Sequence, residues 1–219
     1  MIALLQQDPL AFALALLALL LSLALHEWGH AYAAYRFGDD TARRLGRLTL
    51  NPLKHLDPLG TVLLLLVGFG WAKPVPVNPW AFRSYRLGLF VVSIAGIVIN
   101  LALAVLFALL VRGLFALDPL GVALTFRGEG QTFLGVLALA FFFASSVNLV
   151  LAVFNFLPIP PLDGSKILQS LLPLSWHPFL WRLEQYAWLS FLLILTVLRG
   201  PIQEVLRFAR RVFFGFFFG

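Results

Sequence analysis

Apolar residues run through three long segments of the chain, which we interpret as helices that span a membrane. The first helix is predicted over 9–36, the second over 86–116 and the third over 133–157. Within the first, Leu10–Leu25 is apolar on every side, as expected where all faces of a helix contact lipid. A secretory signal peptide is the alternative for this first segment, but no Lys or Arg precedes it and no small-residue cleavage site follows it.

Three further apolar segments are shorter or less uniform. A helix over 59–70 would reach only about 18 Å across a hydrocarbon core of about 30 Å, so we expect a re-entrant or buried segment there. Residues 183–199 predict a fourth spanning helix. Residues 201–218 mix arginines with many phenylalanines and predict an amphipathic helix at the membrane surface.

Polar residues and helix breakers set apart the segment 38–57. Arg47–Leu50 alternates polar and apolar residues, which is typical of a strand, so we expect a short β-hairpin or edge strand near the membrane edge. Residues 71–80 contain three prolines and predict an extended loop, which could be a rigid connector or could receive a substrate strand. Three further prolines end the third spanning helix, and a short helix is predicted over 162–172.

These elements predict an all-α polytopic membrane protein with about four spanning helices. Of the 219 residues, 61% are hydrophobic and only 12% are charged, and the mean hydropathy is +0.92. A soluble domain carries about 25% charged residues, so a bilayer is the expected solvent. No break in composition divides the chain, and we expect a single domain over 1–219, with a core over 9–172 and accessory helices over 183–218.

The formal net charge of +6 does not point to a nucleic-acid partner. The basic residues cluster between the apolar segments, where they fix the orientation of a protein in the membrane, and we expect no nucleic-acid binding. Cysteine is absent, so any metal must be held by His, Asp or Glu. The chain contains only four histidines, which makes the search for ligands short.

The chemistry of the chain is concentrated in His26-Glu27-Trp28-Gly29-His30, which fits the pattern H-E-x-x-H. Residues four apart on a helix share a face, so both imidazoles can bind one zinc ion, and Glu27 is placed to act as a base. Such polar residues are costly in an apolar helix unless they are paired or bind a metal. A polar contact between helices is the alternative, but it does not explain the position of Glu27.

Catalytic zinc needs a third protein ligand and an open fourth position. The candidates for the third ligand are Asp163, His55, Asp57 and His177. Asp163 is favoured because it follows prolines that unwind the third spanning helix, and irregular backbone at membrane depth is tolerated only where it is buried or lines a cavity. A capping aspartate in a surface turn before Gly164 is the alternative. His55 and Asp57 could instead support the site indirectly.

Charge gives an independent argument about topology. Basic residues follow the first spanning helix and place its C-terminal end in the cytoplasm: Arg36, Arg43, Arg44, Arg47 and Lys54. If 59–70 does not cross the membrane, the second helix goes out and the third returns, so Asp163 reaches the same side as His26 and His30. The active site is therefore expected nearer the cytoplasmic face of a multi-pass protein of the cell membrane. The arginines after 183–199 conflict with this topology if that segment crosses.

These residues resemble the site-2 proteases, a family of intramembrane zinc metalloproteases, and within it the compact bacterial branch without an appended PDZ or regulatory domain. Five stretches between Leu21 and Lys166 carry the resemblance: HEWGH at 26–30, GRLTLNPLKHLDPLGT at 46–61, GWAKPVPVNP at 70–79, Ala95-Gly96 with Asn100, and NFLPIPPLDG at 155–164. In one departure, Ile97 stands where the family often has proline.

The resemblance implies that His26, His30 and Asp163 bind one zinc ion per chain and that Glu27 is the catalytic base. It also implies that Asn155 lies near the zinc and helps to hold the substrate or the oxyanion. The expected activity is endopeptidase cleavage in or near transmembrane segments of membrane proteins, as in regulated intramembrane proteolysis. Two other functions stay open, a metal transporter and an inactive membrane scaffold; the substrate and the oligomeric state do not follow from the sequence.

Overall fold

The computed structural model describes residues 2–67, 70–186, 189 and 196–219, and helices make up most of this part of the chain. Ten α-helices lie within it: α1 Ile2–Gln7, α2 Pro9–Arg36, α3 Thr41–Arg44, α4 Pro58–Val67, α5 Tyr85–Leu117, α6 Pro119–Arg127, α7 Phe133–Asn155, α8 Asp163–Leu171, α9 His177–Gln185 and α10 Arg199–Phe218. The expectation of a mostly helical fold is confirmed.

The three longest helices, α2, α5 and α7, confirm the three long apolar segments read from the sequence. Each is long and apolar enough to cross a membrane. The boundaries of α2 follow from local signals, because the Asp8 side chain accepts a hydrogen bond from the Ala11 amide at 2.9 Å and Pro9 occupies the first helical position. The chain is therefore a membrane protein by helix length and composition.

Small residues allow these three helices to pack closely against one another. α5 packs along both α2 and α7, and α2 also contacts α7. The buried small residues of these helices include Ala34 of α2, Ala104 of α5 and Ala138 of α7. Where lipid is as apolar as leucine, close packing of small side chains replaces the hydrophobic effect as the source of helix association. This three-helix bundle is the frame that positions the site.

The predicted β-hairpin near 47–50 is absent from the described residues, which contain no strand. Gly46 takes a positive φ of 65° after α3, and Asn51 caps a 3₁₀ turn over Pro52–Lys54. The proline-rich loop has alternate residues without an N–H and cannot form a full ladder. Among the described residues, the segment before α4 pairs with this loop through a single antiparallel bridge between Leu56 and Ala72. The alternation of Arg47–Leu50 was therefore misleading.

The other short segments are resolved to different extents. Within the described residues α4 covers Pro58–Val67 of this region, and the re-entrant placement of the predicted segment 59–70 stays a prediction. Residues 187–188 and 190–195 of the predicted fourth spanning helix over 183–199 lie outside the described residues, so this helix stays a prediction. α10 matches the amphipathic helix predicted over 201–218. α6 was not predicted from the sequence, although Asp118 caps its first turn and Gly128 ends it with a φ of 73°.

Candidate active site

The two histidines of the H-E-x-x-H pattern meet on one face of α2. His26 and His30 are one turn apart, and their Nε2 atoms lie 3.0 Å from each other. Both residues are buried, with 4% and 8% of their surfaces exposed. The imidazole rings stand nearly perpendicular, at an interplanar angle of 82°. The helix thus directs two nitrogen atoms at one point inside the bundle.

Asp163 completes this cluster from a separate part of the chain. It is the first residue of α8, which packs against α5, and its Oδ2 atom lies 3.2 Å from the Nε2 atoms of both His26 and His30. The turn before α8 is tight, because a Cβ at Gly164 would lie 2.3 Å from the carbonyl oxygen of Phe156. Glycine at 164 therefore lets the backbone fold back and bring the carboxylate to the imidazoles.

The Nδ1 atom of each imidazole lies within hydrogen-bond distance of an oxygen outside the cluster, so the Nε2 atoms that face the cluster remain available for a metal. His30 Nδ1 lies 2.7 Å from the carbonyl oxygen of Val92, and His26 Nδ1 lies 2.7 Å from Oδ1 of Asn100. Both oxygens can only accept, so in the neutral rings Nδ1 carries the hydrogen and Nε2 presents a lone pair. Asp163 Oδ2 is buried and receives no hydrogen bond from the described residues.

Three electron-pair donors therefore lie 3.0–3.2 Å apart in a buried site. Ligands of a tetrahedral zinc ion lie about 2.0–2.1 Å from the metal, and hence roughly 3.3 Å from one another. The triangle fits zinc with its fourth position open. Burial alone would raise the pKa of the Asp163 carboxyl, but the His30 and His26 imidazoles, when they are protonated in the absence of metal, outweigh burial and hold that pKa well below its usual range.

Comparisons with known proteins identify the family and the relatives of the chain. Residues 14–198 match the profile of Peptidase family M50. The chain belongs to that family. It is 44% identical to “Putative zinc metalloprotease YwhC” of Bacillus subtilis over 84% of this chain and 80% of that protein. It is 38% identical to “Putative zinc metalloprotease Rip2” of Mycobacterium tuberculosis over 86% of this chain and 70% of that protein.

A third relative is less similar to the chain. “Putative zinc metalloprotease MJ0611” of Methanocaldococcus jannaschii is 28% identical over 84% of this chain and 81% of that protein. No solved structure gave a significant match. The names of all three relatives agree with the metal that the donor triangle fits, and zinc is the cofactor of this M50 chain.

The catalytic glutamate expected in this M50 chain is anchored to the proline-rich loop. Glu27 follows His26 on α2, and its Oε2 atom accepts a hydrogen bond from the backbone amide of Val75 at 2.9 Å. Val75 is buried against Ala31 and Ala42. The loop therefore holds the carboxylate from one side, whereas the sequence predicted either a rigid connector or a segment that receives a substrate strand.

Two residues of α5 shape the site, although the sequence reading gave them no role. Asn100 is fully buried and is the partner of His26 described above. Gly96 lies beneath both rings, because a Cβ there would stand 2.5 Å from His26 Cε1 and 2.6 Å from His30 Nε2. A polar amide within an apolar helix was the available signal for Asn100, whereas the requirement for Gly96 depends on how closely α2 and α5 approach.

The other candidate ligands lie outside the cluster. Among the described residues, His26, His30 and Asp163 form the one group found that could hold a metal ion. His55 is buried and donates through Nε2 to the Thr49 carbonyl at 2.9 Å, while Asp57 accepts from the Gly60 amide at 2.8 Å and caps α4. These two residues organise the loop before α4. His177 packs against aromatic rings of α5 and α9.

Asn155 ends α7 close in sequence to the turn that carries Asp163. Its Nδ2 atom donates to the carbonyl oxygen of Leu151, one turn earlier on the same helix, at 3.0 Å. This contact keeps the amide on its own helix in the structure described here. The catalytic role assigned to Asn155 by resemblance therefore stays a prediction.

Proposed function

We propose that the chain is an intramembrane zinc endopeptidase that hydrolyses peptide bonds in or near transmembrane segments of membrane-protein substrates. The observation that carries the proposal is the buried triangle of His26 Nε2, His30 Nε2 and Asp163 Oδ2 among three apolar helices. One such triangle corresponds to one zinc ion per chain. Membership of a peptidase family supports the same reaction class.

Each residue of the site has a distinct proposed role. His26, His30 and Asp163 hold the metal, and zinc bound there supplies a Lewis acid that activates water and polarises a carbonyl group. Glu27 takes a proton from the attacking water and passes it to the leaving amine. The backbone amide of Val75 donates to the Glu27 carboxylate and holds it in position to accept that proton.

Asn155 is proposed to donate a hydrogen bond to the oxyanion that develops on the substrate. Such a donor accelerates the reaction only if it bonds more strongly in the transition state than in the ground state. The present bond from Asn155 to the Leu151 carbonyl is compatible with this role if the side chain turns away from its own helix when substrate binds. In that exchange the Asn155 amide gives up the neutral Leu151 carbonyl and donates instead to the negatively charged oxyanion.

The substrate is proposed to be a membrane protein, or a peptide, with a transmembrane helix that unwinds before cleavage. A helical peptide bond is shielded by its own helix, so the scissile segment must become extended. Regulated intramembrane proteolysis is the biological process that this activity fits. The bilayer is the other partner, contacted by the exposed apolar faces of α2, α5 and α7.

The proposed location is the cytoplasmic membrane, with the active site nearer the cytoplasmic face. Arg36 ends α2, and Arg43 and Arg44 lie on α3 directly after it, which is the excess of positive charge expected on that side. Arg47 contributes less to this signal than the sequence suggests, because it is buried and donates to the Lys73 carbonyl at 2.6 Å.

The test compares wild type with Glu27→Gln in the full chain, with Glu129→Gln as a matched control at an exposed position. Cells that carry Glu27→Gln should accumulate membrane-protein substrates that disappear with wild type or with Glu129→Gln. All three purified proteins should contain equal zinc. Wild type without zinc, or cleavage that survives in Glu27→Gln, would refute the protease. A zinc transporter would instead move metal into proteoliposomes and tolerate Glu27→Gln.

A further inference from the structure

A row of buried polar side chains connects all three long helices behind the metal site. Ser22 lies on α2 one turn before His26, Asn148 lies on α7 and Asn100 on α5, and none is more than 3% exposed. Asn148 Nδ2 donates to Ser22 Oγ at 2.7 Å, and Asn100 Nδ2 donates to Asn148 Oδ1 at 3.0 Å. The row ends at His26 Nδ1, 2.7 Å from Asn100 Oδ1.

The direction of every bond in this row is fixed by one backbone carbonyl. Asn148 Nδ2 also donates to the carbonyl oxygen of Ala144 at 2.8 Å, and a carbonyl can only accept. The amide nitrogen of Asn148 must therefore face Ala144, so its oxygen faces Asn100. Asn100 must then offer its nitrogen to Asn148 and its oxygen to His26. If Asn100 were reversed, its oxygen would face the Asn148 oxygen and its nitrogen would face the protonated Nδ1 of His26. Acceptor would then meet acceptor, and donor would meet donor, inside the bundle.

The orientation of Asn100 determines which nitrogen of His26 can bind the metal. An oxygen at Asn100 requires a hydrogen on His26 Nδ1, which leaves Nε2 with its lone pair directed at the zinc site. A nitrogen there would favour the opposite tautomer, with the hydrogen on Nε2 and no electron pair for the metal. His30 needs no such device, because its Nδ1 already lies against the Val92 carbonyl. Only His26 depends on a side chain that could face either way.

We propose that Asn148 and Asn100 form an amide relay that fixes the tautomer of His26 for zinc binding, so both are positioning residues although Asn148 touches neither imidazole. This inference rests on the proposed zinc site and deepens it. A side-chain partner on the outer nitrogen of a metal-binding histidine commonly changes metal affinity about 10- to 100-fold. The relay extends that effect one residue further, to another helix.

The test measures how fast zinc leaves the purified full-length protein when a chromophoric chelator is added. Asn148→Leu removes the acceptor that orients Asn100 and should speed zinc release about 10- to 100-fold. Ser145→Ala is the matched control, because Ser145 is equally buried on α7 and donates to the Ala104 carbonyl of α5 at 2.8 Å, outside the relay. It should leave the release rate within about twofold of wild type, well below the relay effect.

A rescue variant separates orientation from packing. In Asn100→Asp combined with Asn148→Leu, both carboxylate oxygens accept, so His26 has its partner whichever way the side chain turns. The double variant should release zinc within about threefold of the wild-type rate, despite lacking Asn148. If it releases zinc as fast as Asn148→Leu alone, or if Ser145→Ala is as damaging as Asn148→Leu, the relay is refuted while the zinc site stands.

A measurement without any variant covers the case in which Asn148→Leu fails to fold. Nitrogen-15 NMR of histidine-labelled, zinc-loaded wild type should show His26 with a protonated Nδ1 and a metal-shifted Nε2. Only four histidines contribute signals. The reverse assignment for His26 would overturn the relay with zinc still bound. A wild-type protein that never binds zinc would overturn both the relay and the proposed function.

Discussion

Glu27 Oε2 accepts a hydrogen bond from the backbone amide of Val75, and this 2.9 Å contact joins α2 to the proline-rich loop. Pro74 and Pro76 flank Val75 and have no N–H to offer, so Val75 supplies the donor at this point of the loop. A second hydrogen bond fixes the loop further along, where the backbone amide of Asn78 donates to Asp39 Oδ2 at 2.6 Å. The loop thus acts as a fixed support beside Glu27.

The first prediction separates the Val75 amide from the Val75 side chain. Val75→Pro removes the N–H that Glu27 accepts, and a hydrogen bond to a charged group contributes about 1.5–3 kcal/mol, so cleavage should fall about tenfold or more. Val75→Ala keeps the N–H and removes packing against Ala31 and Ala42. It should retain most activity per folded molecule, and both variants should keep wild-type zinc content in a metal assay.

Any of three results would contradict this prediction. Equal activity in Val75→Pro and Val75→Ala would mean that the amide does not position Glu27. Higher activity in Val75→Pro would mean that the loop restrains the base and that substrate must displace it. Loss of zinc from Val75→Pro would show that the loop supports the ligands as well.

The second prediction concerns the space beneath the two imidazoles. Gly96→Ala places a methyl group where His26 and His30 already lie, within about 2.6 Å of both rings. The rings must move, and a displacement near 1 Å at a catalytic site costs roughly 100-fold in rate. Zinc content should fall together with cleavage, because the displaced atoms are the proposed ligands themselves.

A control for Gly96→Ala lies on the same helix. Nothing stands within 4 Å of a Cβ added at Gly113 of α5, so Gly113→Ala has room for its methyl group. It should leave cleavage and zinc content unchanged and alter stability by about 1 kcal/mol or less. Normal zinc binding in Gly96→Ala would contradict the close approach of α5 to the ligands.

The spanning helices and the two histidines could be predicted because their signals are local. An uninterrupted apolar stretch needs no knowledge of its neighbours, and residues four apart on a helix share a face in any fold. Asp163 was within reach for a similar reason, since prolines mark the turn that carries it. The distances among the three ligand atoms, by contrast, depend on how α8 folds back onto α5.

The errors and omissions arose where tertiary packing decides. The alternation of Arg47–Leu50 predicted a strand, but burial of Arg47 and its bond to the Lys73 carbonyl organise that segment without one. Asn100 and Asn148 are conspicuous polar residues in apolar helices, yet nothing in the sequence says that they face each other. The contact between Val75 and Glu27 spans 48 positions and likewise could not be read from spacing.

The third prediction tests the carboxylate ligand. Asp163→Asn keeps the size of the side chain but removes its charge, so zinc affinity should fall by more than about 100-fold, beyond the roughly 10- to 100-fold that the loss of a supporting group costs. Wild-type protein with free zinc at 100 times the dissociation constant gains about 2.7 kcal/mol of stability, which a chelator removes. The thermal midpoint of Asp163→Asn should therefore respond little to the chelator.

Asp118→Asn is the matched control for the loss of a carboxylate. Asp118 Oδ1 accepts a hydrogen bond from the Gly121 backbone amide at 2.9 Å and caps α6. Asp118 is not a member of the metal-binding cluster. Asp118→Asn should change stability by about 1 kcal/mol or less and keep the full response to the chelator. If Asp163→Asn keeps that response too, the third ligand has been assigned to the wrong residue.

The fourth prediction addresses Asn155, whose amide donates to its own helix at Leu151. If it contributes only when the oxyanion develops, Asn155→Ala should lower kcat about 100- to 1000-fold while KM and zinc content stay near wild type. Asn51→Ala, which removes a cap in the loop before α4, should not produce this pattern. A raised KM with unchanged kcat would assign Asn155 to substrate binding, and lost zinc would assign it to support of the ligands.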